Sequence, residues 1–317
     1  MPDTSAAGNR SVGRVAVRVP ASSANLGPGY DSFGLALALY DEFEAHGATE
    51  WSVEIHGHGE GRLRLDGGNL VARACSLAFD ELGEGHPAAA AIVCANGIPT
   101  GSGLGSSSAA IVGGVMLGHL LAGHPPTPAA VLDLAGRIEG HPDNVGAAVL
   151  GGFTVCYSNG APHCVGLPIA GGIAAVVVTR DEPLPTSEAR RLLPGLVPHG
   201  DAAFNAGHAG LVVAGVTLGR ADLLAAGLHD RLHEQYRAAA IGDLDELRGI
   251  LLDAGADGAA LSGAGPTVVG IVTAGDDGAA FERAREVAAR ADGPVGRLEG
   301  RRTPFAASVD RTGAVVR

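Results

Sequence analysis

The sequence predicts an α+β fold in two domains, on three observations. Its 317 residues, 46% of them hydrophobic, are enough to build two cores. Short apolar runs of strand character are interspersed with longer runs of helical spacing. Between residues 159 and 171 the chain turns to Gly, Pro and other small residues, which marks a boundary between a domain over 14–160 and another over 172–317.

The elements follow in order. Residues 1–13 are polar and small, without the apolar core of a secretion signal, and are expected to be a disordered lead. Val15, Val17 and Val19 alternate as a strand over 14–19, which ends at Pro20 in a loop dense in turn formers. Strands are expected over 35–44 and 51–56, then a polar, glycine-rich connection, then a helix over 69–82 capped by Asn69. The apolar run 88–95 reads as a buried strand and 111–121 as a helix. A helix over 128–138 leads to Glu139-Gly-His-Pro-Asp-Asn144, and a strand over 152–157 follows. The second half opens with a buried strand over 173–179, with helices at 186–193, 202–218 and 243–252. A strand over 268–272, a helix over 276–290 and closing strands near Val295 and Ala314 complete it.

The formal net charge is −12, which gives nucleic-acid binding no electrostatic support. All 22 basic residues are arginine, so an anionic substrate needs a local arginine cluster and no lysine chemistry is available. No apolar stretch has the length of a membrane span. Cys75, Cys94, Cys156 and Cys164 lack any C-x-x-C or Cys/His pairing, and read as free thiols of a reducing, cytoplasmic compartment.

Residues 99–110, Pro-Thr-Gly-Ser-Gly-Leu-Gly-Ser-Ser-Ser-Ala-Ala, join a strand to a helix. Glycines at 101, 103 and 105 let the backbone curl with its N–H groups inward and let a bulky anion come close. The helix N-terminus adds unpaired donors and the positive end of its dipole. Serine hydroxyls there can cap the helix, bind phosphate or ligate Mg²⁺. A polyphosphate cradle is the reading, and an ordinary capped turn is the bland alternative. A dinucleotide fingerprint would need glycine at Ser106, and a P-loop would need the missing lysine. Three more polar clusters, at 22–31, 139–144 and 262–267, each follow an apolar element, as loops converging on one cleft do.

Together these clusters resemble the GHMP kinase family, named for galactose, homoserine, mevalonate and phosphomevalonate. Its three motifs are matched in order by Val19-Pro-Ala-Ser-Ser-Ala-Asn-Leu-Gly-Pro-Gly-Tyr-Asp-Ser-Phe-Gly34, by residues 99–110, and by Leu261-Ser-Gly-Ala-Gly-Pro-Thr267. The first motif, residues 139–144 and Thr186-Ser-Glu-Ala-Arg190 look like the homoserine branch. The resemblance implies an N-terminal domain like domain 2 of ribosomal protein S5 and a ferredoxin-like C-terminal domain. It implies transfer of the ATP γ-phosphoryl group, with Mg²⁺, to the side-chain hydroxyl of L-homoserine, a step toward threonine. Another small amino alcohol as acceptor, or a non-catalytic nucleotide-binding homologue, are the alternatives. A homodimer is compatible with the sequence but not read from it.

Site roles are carried by the same resemblance. Pro99, Gly101, Ser102, Gly103, Leu104, Gly105, Ser106, Ser107, Ser108 and Ala109 would wrap the phosphates, with Ser107 on Mg²⁺. Asn25 and Asp31 would hold the amino acid, Asp31 at its ammonium group, and His141 and Asn144 would line the acceptor site. Thr186, Arg190, Arg237 and Gly263 would complete it, the two arginines gripping the carboxylate. Asn25, Asn144 and Ser107 are the catalytic candidates, with no protein base of the usual kind, since asparagine takes up no proton at useful pH. Ser108 stands where alanine is common and Tyr30 where phenylalanine is. The Mg²⁺ carboxylate is Glu139 or Asp133, with Glu139 favoured.

Overall fold

The computed structural model describes residues 13–83 and 85–317, and the expected lead over residues 1–13 lies outside them but for Gly13. The first half builds a seven-stranded sheet from β1 (Val15–Ala24), β2 (Phe33–Ala48), β3 (Ser52–Gly57), β4 (Ala89–Asn96), β5 (Phe153–Ser158), β6 (Pro162–Leu167) and a late strand given below. Strand β2 organises it. Its 16 residues pair with β1 along most of their length, with β5 at Phe33–Leu35 and with β4 at Asp41–Ala48. A register shift at Pro20/Ala21 bends β1 where β2 changes partner.

Four helices pack on this sheet: α1 (Leu70–Leu82), α2 (Ser106–Leu121), α3 (Pro128–Glu139) and α4 (Pro142–Leu150). The Asn69 side chain accepts from Val71 N–H and caps α1, as its spacing predicts. Helix α2 is buried on nearly every side, and beyond its first turn His119 is its one polar residue.

The second half has a four-stranded antiparallel sheet in the order β10-β7-β9-β8, from β7 (Ile173–Val178), β8 (Gly258–Leu261), β9 (Val268–Thr273) and β10 (Phe305–Ser308). This is the ferredoxin-like arrangement that the resemblance implies. Its helices are α5 (Thr186–Arg191), α6 (His199–Leu218), α7 (Ala221–Gly227), α8 (Glu234–Ile241), α9 (Leu244–Asp253) and α10 (Asp277–Val295). All six residues of β7 are buried. Ile173, Ala175 and Val177 join the core of the first sheet, whereas Ala174, Val176 and Val178 pack with α9 and α10. One strand therefore faces both cores.

Several expectations are corrected. The stretch taken as a boundary holds β6, which carries the first sheet past residue 160 to Leu167. Its Gly and Pro content hides a strand with no fully buried residue. Val295 ends α10 instead of lying near a strand, and β11 (Val315–Val316) pairs with β1 in the first sheet. Helices α4, α7 and α8 and strand β8 are absent from the sequence reading. Pro142 opens α4 and polar residues fill its first turn, so it reads as a loop.

Candidate active site

The four polar clusters do converge. A cavity of about 180 Å³ is lined by the loop before α2, the turn before α4, the loop after β1, the start of α5 and the β8–β9 turn. Gly101, Gly103 and Gly105 all take left-handed backbone, with φ of 69°, 90° and 71°. Part of the reason is protein packing, beyond the anion approach expected from sequence. A Cβ on Gly103 would lie 2.5 Å from Ser262 O and 2.8 Å from Gly265 O, and one on Gly105 would lie 2.0 Å from Ser22 Oγ. Gly105 caps α2 without a side-chain hydrogen bond, which leaves the first N–H groups of a 16-residue helix facing the cavity edge. Ser102 Oγ donates to Pro99 O at 2.8 Å, and the Leu104 carbonyl accepts from Ser22 N–H at 3.0 Å, so the loop is tied at both ends.

Ser107 Oγ and Ser108 Oγ both donate to Glu139 Oε1, at 2.7 and 2.9 Å. Carboxylate and hydroxyl oxygens are hard donors that suit Mg²⁺. Asp133 is elsewhere, paired with Arg137 at 3.1 Å, and does not line the cavity. Ser108 is wholly buried and serves Glu139, which gives the extra hydroxyl a local task.

At the acceptor end, Asn25, Leu26 and Asp31 have φ of 70°, 46° and 55°, an uncommon conformation for such residues. Asn25 maintains it: its Oδ1 accepts from Asp31 N–H at 2.9 Å and its Nδ2 donates to Gly263 O at 2.7 Å. Its amide thus positions the loop. Arg190 and Asp31 meet each other in a two-pronged pair, at 2.7 and 3.0 Å, with Arg190 also donating to Tyr30 Oη at 2.9 Å. Arg237 is 1% exposed. Its Nη1 donates to Gly263 O and to His233 Nδ1, both at 3.1 Å, and its Nε has no partner. His233 Nδ1 is therefore the acceptor, and its Nε2–H donates to Gly27 O at 2.8 Å. The guanidinium groups of Arg190 and Arg237 both approach the Tyr30 ring, at 5.7 and 5.5 Å from its centre.

Between the two ends, Asn144 Oδ1 accepts from Ser22 Oγ at 2.9 Å. Asp143, which the sequence reading gives no site role, is 3% exposed and lines the cavity. It accepts from Asn144 N–H at 2.8 Å and stands 3.5 Å from His141 Nδ1. Burial alone would lower the His141 pKa, but the Asp143 hydrogen bond and the charges of Asp143 and Glu139 outweigh it, so the imidazole stays above its ordinary value. Thr186, at the start of α5, also lines the cavity.

A second, mostly apolar cavity of about 310 Å³ shares Gly101, Ser106 and Ser107 with the first. Ile55, Leu63, Asn69 and Asn96 contribute to it, and sequence reasoning missed it because these residues come from two strands, a turn and a helix cap. Asp41 in its wall is pushed up to about 7 by burial, against the hydrogen bonds from Ile98 and Gly97 N–H.

No helix is long and apolar enough to cross a membrane among the described residues. Residues 69–152 match the model of the GHMP kinases N-terminal domain, and residues 211–290 that of the GHMP kinases C-terminal domain. A homoserine kinase of Streptomyces coelicolor is 46% identical over 82% of this chain and 85% of its own length. One of Clavibacter michiganensis subsp. michiganensis is 43% identical over 89% of each chain. The crystal structure of a homoserine kinase from Cytophaga hutchinsonii superposes with a TM-score of 0.84 at 27% identity, over 96% of this chain and 97% of that one.

Proposed function

The chain belongs to the GHMP kinase family, and from that premise we propose that it transfers the γ-phosphoryl group of ATP to the side-chain hydroxyl of L-homoserine. Arg237 is the observation that carries the acceptor. It is a buried cation with no carboxylate partner among the described residues and an unpartnered Nε–H. An amino-acid carboxylate supplies what it lacks.

In this reading the apolar cavity takes the nucleoside, and the loop before α2 with the free N–H groups of the helix takes the phosphates. Ser107 and Glu139 would hold Mg²⁺, which when bound neutralises phosphate charge. Asp31 faces the ammonium group, and Arg190, already held by Asp31 and Tyr30, fixes the position of that carboxylate. Asn144, anchored by Ser22, lines the path between the hydroxyl and the phosphates. It can orient the hydroxyl but take no proton, and Asp143 is engaged by His141 and Asn144 N–H. The hydroxyl oxygen attacks phosphorus as ADP leaves, and its proton departs late, to a phosphate oxygen or water. Phosphoryl transfer tolerates this, because positioning and charge neutralisation stabilise its loose transition state. Four free thiols fit a reducing cytoplasm, where the product would enter threonine synthesis.

The test is ADP release measured with and without acceptor. L-homoserine should stimulate it strongly, and 3-aminopropanol, which lacks the carboxylate, only weakly. Equal rates with and without every small alcohol tried would leave a nucleotide-binding protein instead.

A further inference from the structure

Cys156 and Cys164 are assigned no role in phosphoryl transfer, yet the fold places them together. They are direct partners in the antiparallel β5–β6 pair. Cys156 N–H donates away from β6, to Ser32 O at 2.7 Å. In an antiparallel ladder a residue's N–H and C=O point to the same side, so Cys156 and Cys164 form a non-hydrogen-bonded pair. Such pairs bring Cα atoms to about 4.5 Å, inside the range a disulfide spans. Both thiols lean the same way. Cys156 Sγ and Cys164 Sγ donate to one carbonyl, Pro142 O, at 3.4 and 3.5 Å. A Cβ on Gly146 would lie 2.6 and 2.7 Å from the two sulfurs, so α4 sits directly on the pair.

We propose that Cys156 and Cys164 are a dithiol modification site which small-molecule disulfides convert to an intramolecular disulfide, and that this slows phosphoryl transfer by disturbing the start of α4. Cys164 is partly exposed and Cys156 is buried, so Cys164 reacts first. Its thiolate attacks one sulfur of the disulfide, whose S–S bond breaks, and the departing thiolate takes up a proton. Cys156 then loses its proton and attacks the Cys164 sulfur, expelling the second small thiolate, which is protonated in turn. Two protein thiols are oxidised and one disulfide is reduced to two thiols. Contact with the Cys164 thiol, then burial, then the charge of Cys164 hold the Cys156 thiol above its ordinary range. Two of these three causes vanish once Cys164 is in a mixed disulfide, which favours the second step. A disulfide has no S–H, so Pro142 O loses both sulfur donors. Pro142 lies between His141 and Asp143, the pair that faces the acceptor. Cys75 and Cys94, buried and pushed up to about 12 by burial, are expected to stay reduced.

The kinetic half rests on the proposed phosphoryl transfer, so thiol chemistry is read separately. The reduced full-length protein is incubated with oxidised glutathione, unfolded in acid, alkylated and weighed. Loss of two alkylatable thiols and of two hydrogen masses is expected, with Cys156 and Cys164 in one disulfide-linked peptide. Cys156→Ser should stop at one retained glutathione, on Cys164, and Cys164→Ser should take up none. Oxidised wild type should lose most of its homoserine-dependent ADP release and regain it with dithiothreitol, while Cys164→Ser keeps its own rate throughout. A wild type that keeps all its thiols overturns the site. A complete crosslink with no change in rate, or with a change in amide exchange confined to the β5–β6 turn and absent from α4, overturns the coupling.

Discussion

A buried guanidinium without a carboxylate is costly, so Arg237 should be the most informative single residue in the cavity. Removing one partner of a buried, hydrogen-bonded charge pair costs roughly 2–5 kcal/mol. Arg237→Ala should therefore lower kcat/KM for L-homoserine by about 10¹–10³-fold, taking tenfold per 1.4 kcal/mol. Affinity for ATP alone should barely change, and 3-aminopropanol should lose little more than it already lacks. Equal losses for both acceptors would mean that Arg237 does not read the carboxylate. Arg190→Ala should behave less selectively, because it also strips Asp31 of its two-pronged partner. Asp41 offers a test by pH. Its folded pKa of about 7 lies above the ordinary value of 3.8, so the folded state holds the proton more tightly. The stabilisation is whole below pH 4 and is lost as pH rises through 7. Asp41→Asn, which can still accept from Ile98 N–H, should escape that loss. Its stability relative to wild type should rise between pH 4 and pH 8 by up to about 4 kcal/mol, at 1.36 kcal/mol per pKa unit. Urea melts at the two pH values check it, and a constant difference would place the Asp41 pKa near its ordinary value.

At the scale of elements, the end of α3 meets the start of α2 through Glu139, Ser107 and Ser108. Glu139→Gln should cost far more activity than Asp133→Asn, with part of the loss restored by raised Mg²⁺, since a carbonyl oxygen is a weaker ligand than a carboxylate. The reverse order in an Mg²⁺ titration would move the metal carboxylate to Asp133. Long periodic segments such as α1, α2 and α10 were legible in the sequence, and so was the glycine-serine loop, because backbone conformation and helix ends depend on local residues. Residues 142–150 were not, because a proline at N1 and a polar first turn imitate a loop. Nor was β6, whose place is decided by pairing with β5 and not by its own composition. The site was legible where it lies in contiguous motifs. Nothing local sets Asp143 apart from the other polar residues of 139–144, and the apolar cavity depends on tertiary packing that no local pattern reports.

For the whole molecule the question is whether two sheets behave as two bodies. Strand β7 contributes alternate side chains to both cores, so neither core is complete without it. The C-terminal chain returns to the first sheet: β11 pairs with β1, and Asp310 is buried there. Asp310 accepts from Tyr40 Oη at 2.8 Å and from Gly313 N–H at 2.7 Å, while its own carbonyl accepts from Gly152 N–H at 2.6 Å. The motifs bind the halves a third time, since Ser262 Oγ donates to Gly103 O at 2.7 Å and Asn25 Nδ2 reaches Gly263 O. Separating the halves would expose apolar surface on both sides and leave these polar groups unpaired, so the open form has no stable resting point. The chain should unfold in one cooperative step. Trp51, the only tryptophan, packs against Phe79 in the first half, so its fluorescence reports that half alone. Far-UV circular dichroism reports both halves. The two should give the same midpoint in urea, and saturating ATP or L-homoserine should raise both together, since a ligand bound only by the folded chain stabilises all that folds with it. Midpoints that separate, or a ligand that shifts one signal and leaves the other in place, would mean that the sheets unfold independently.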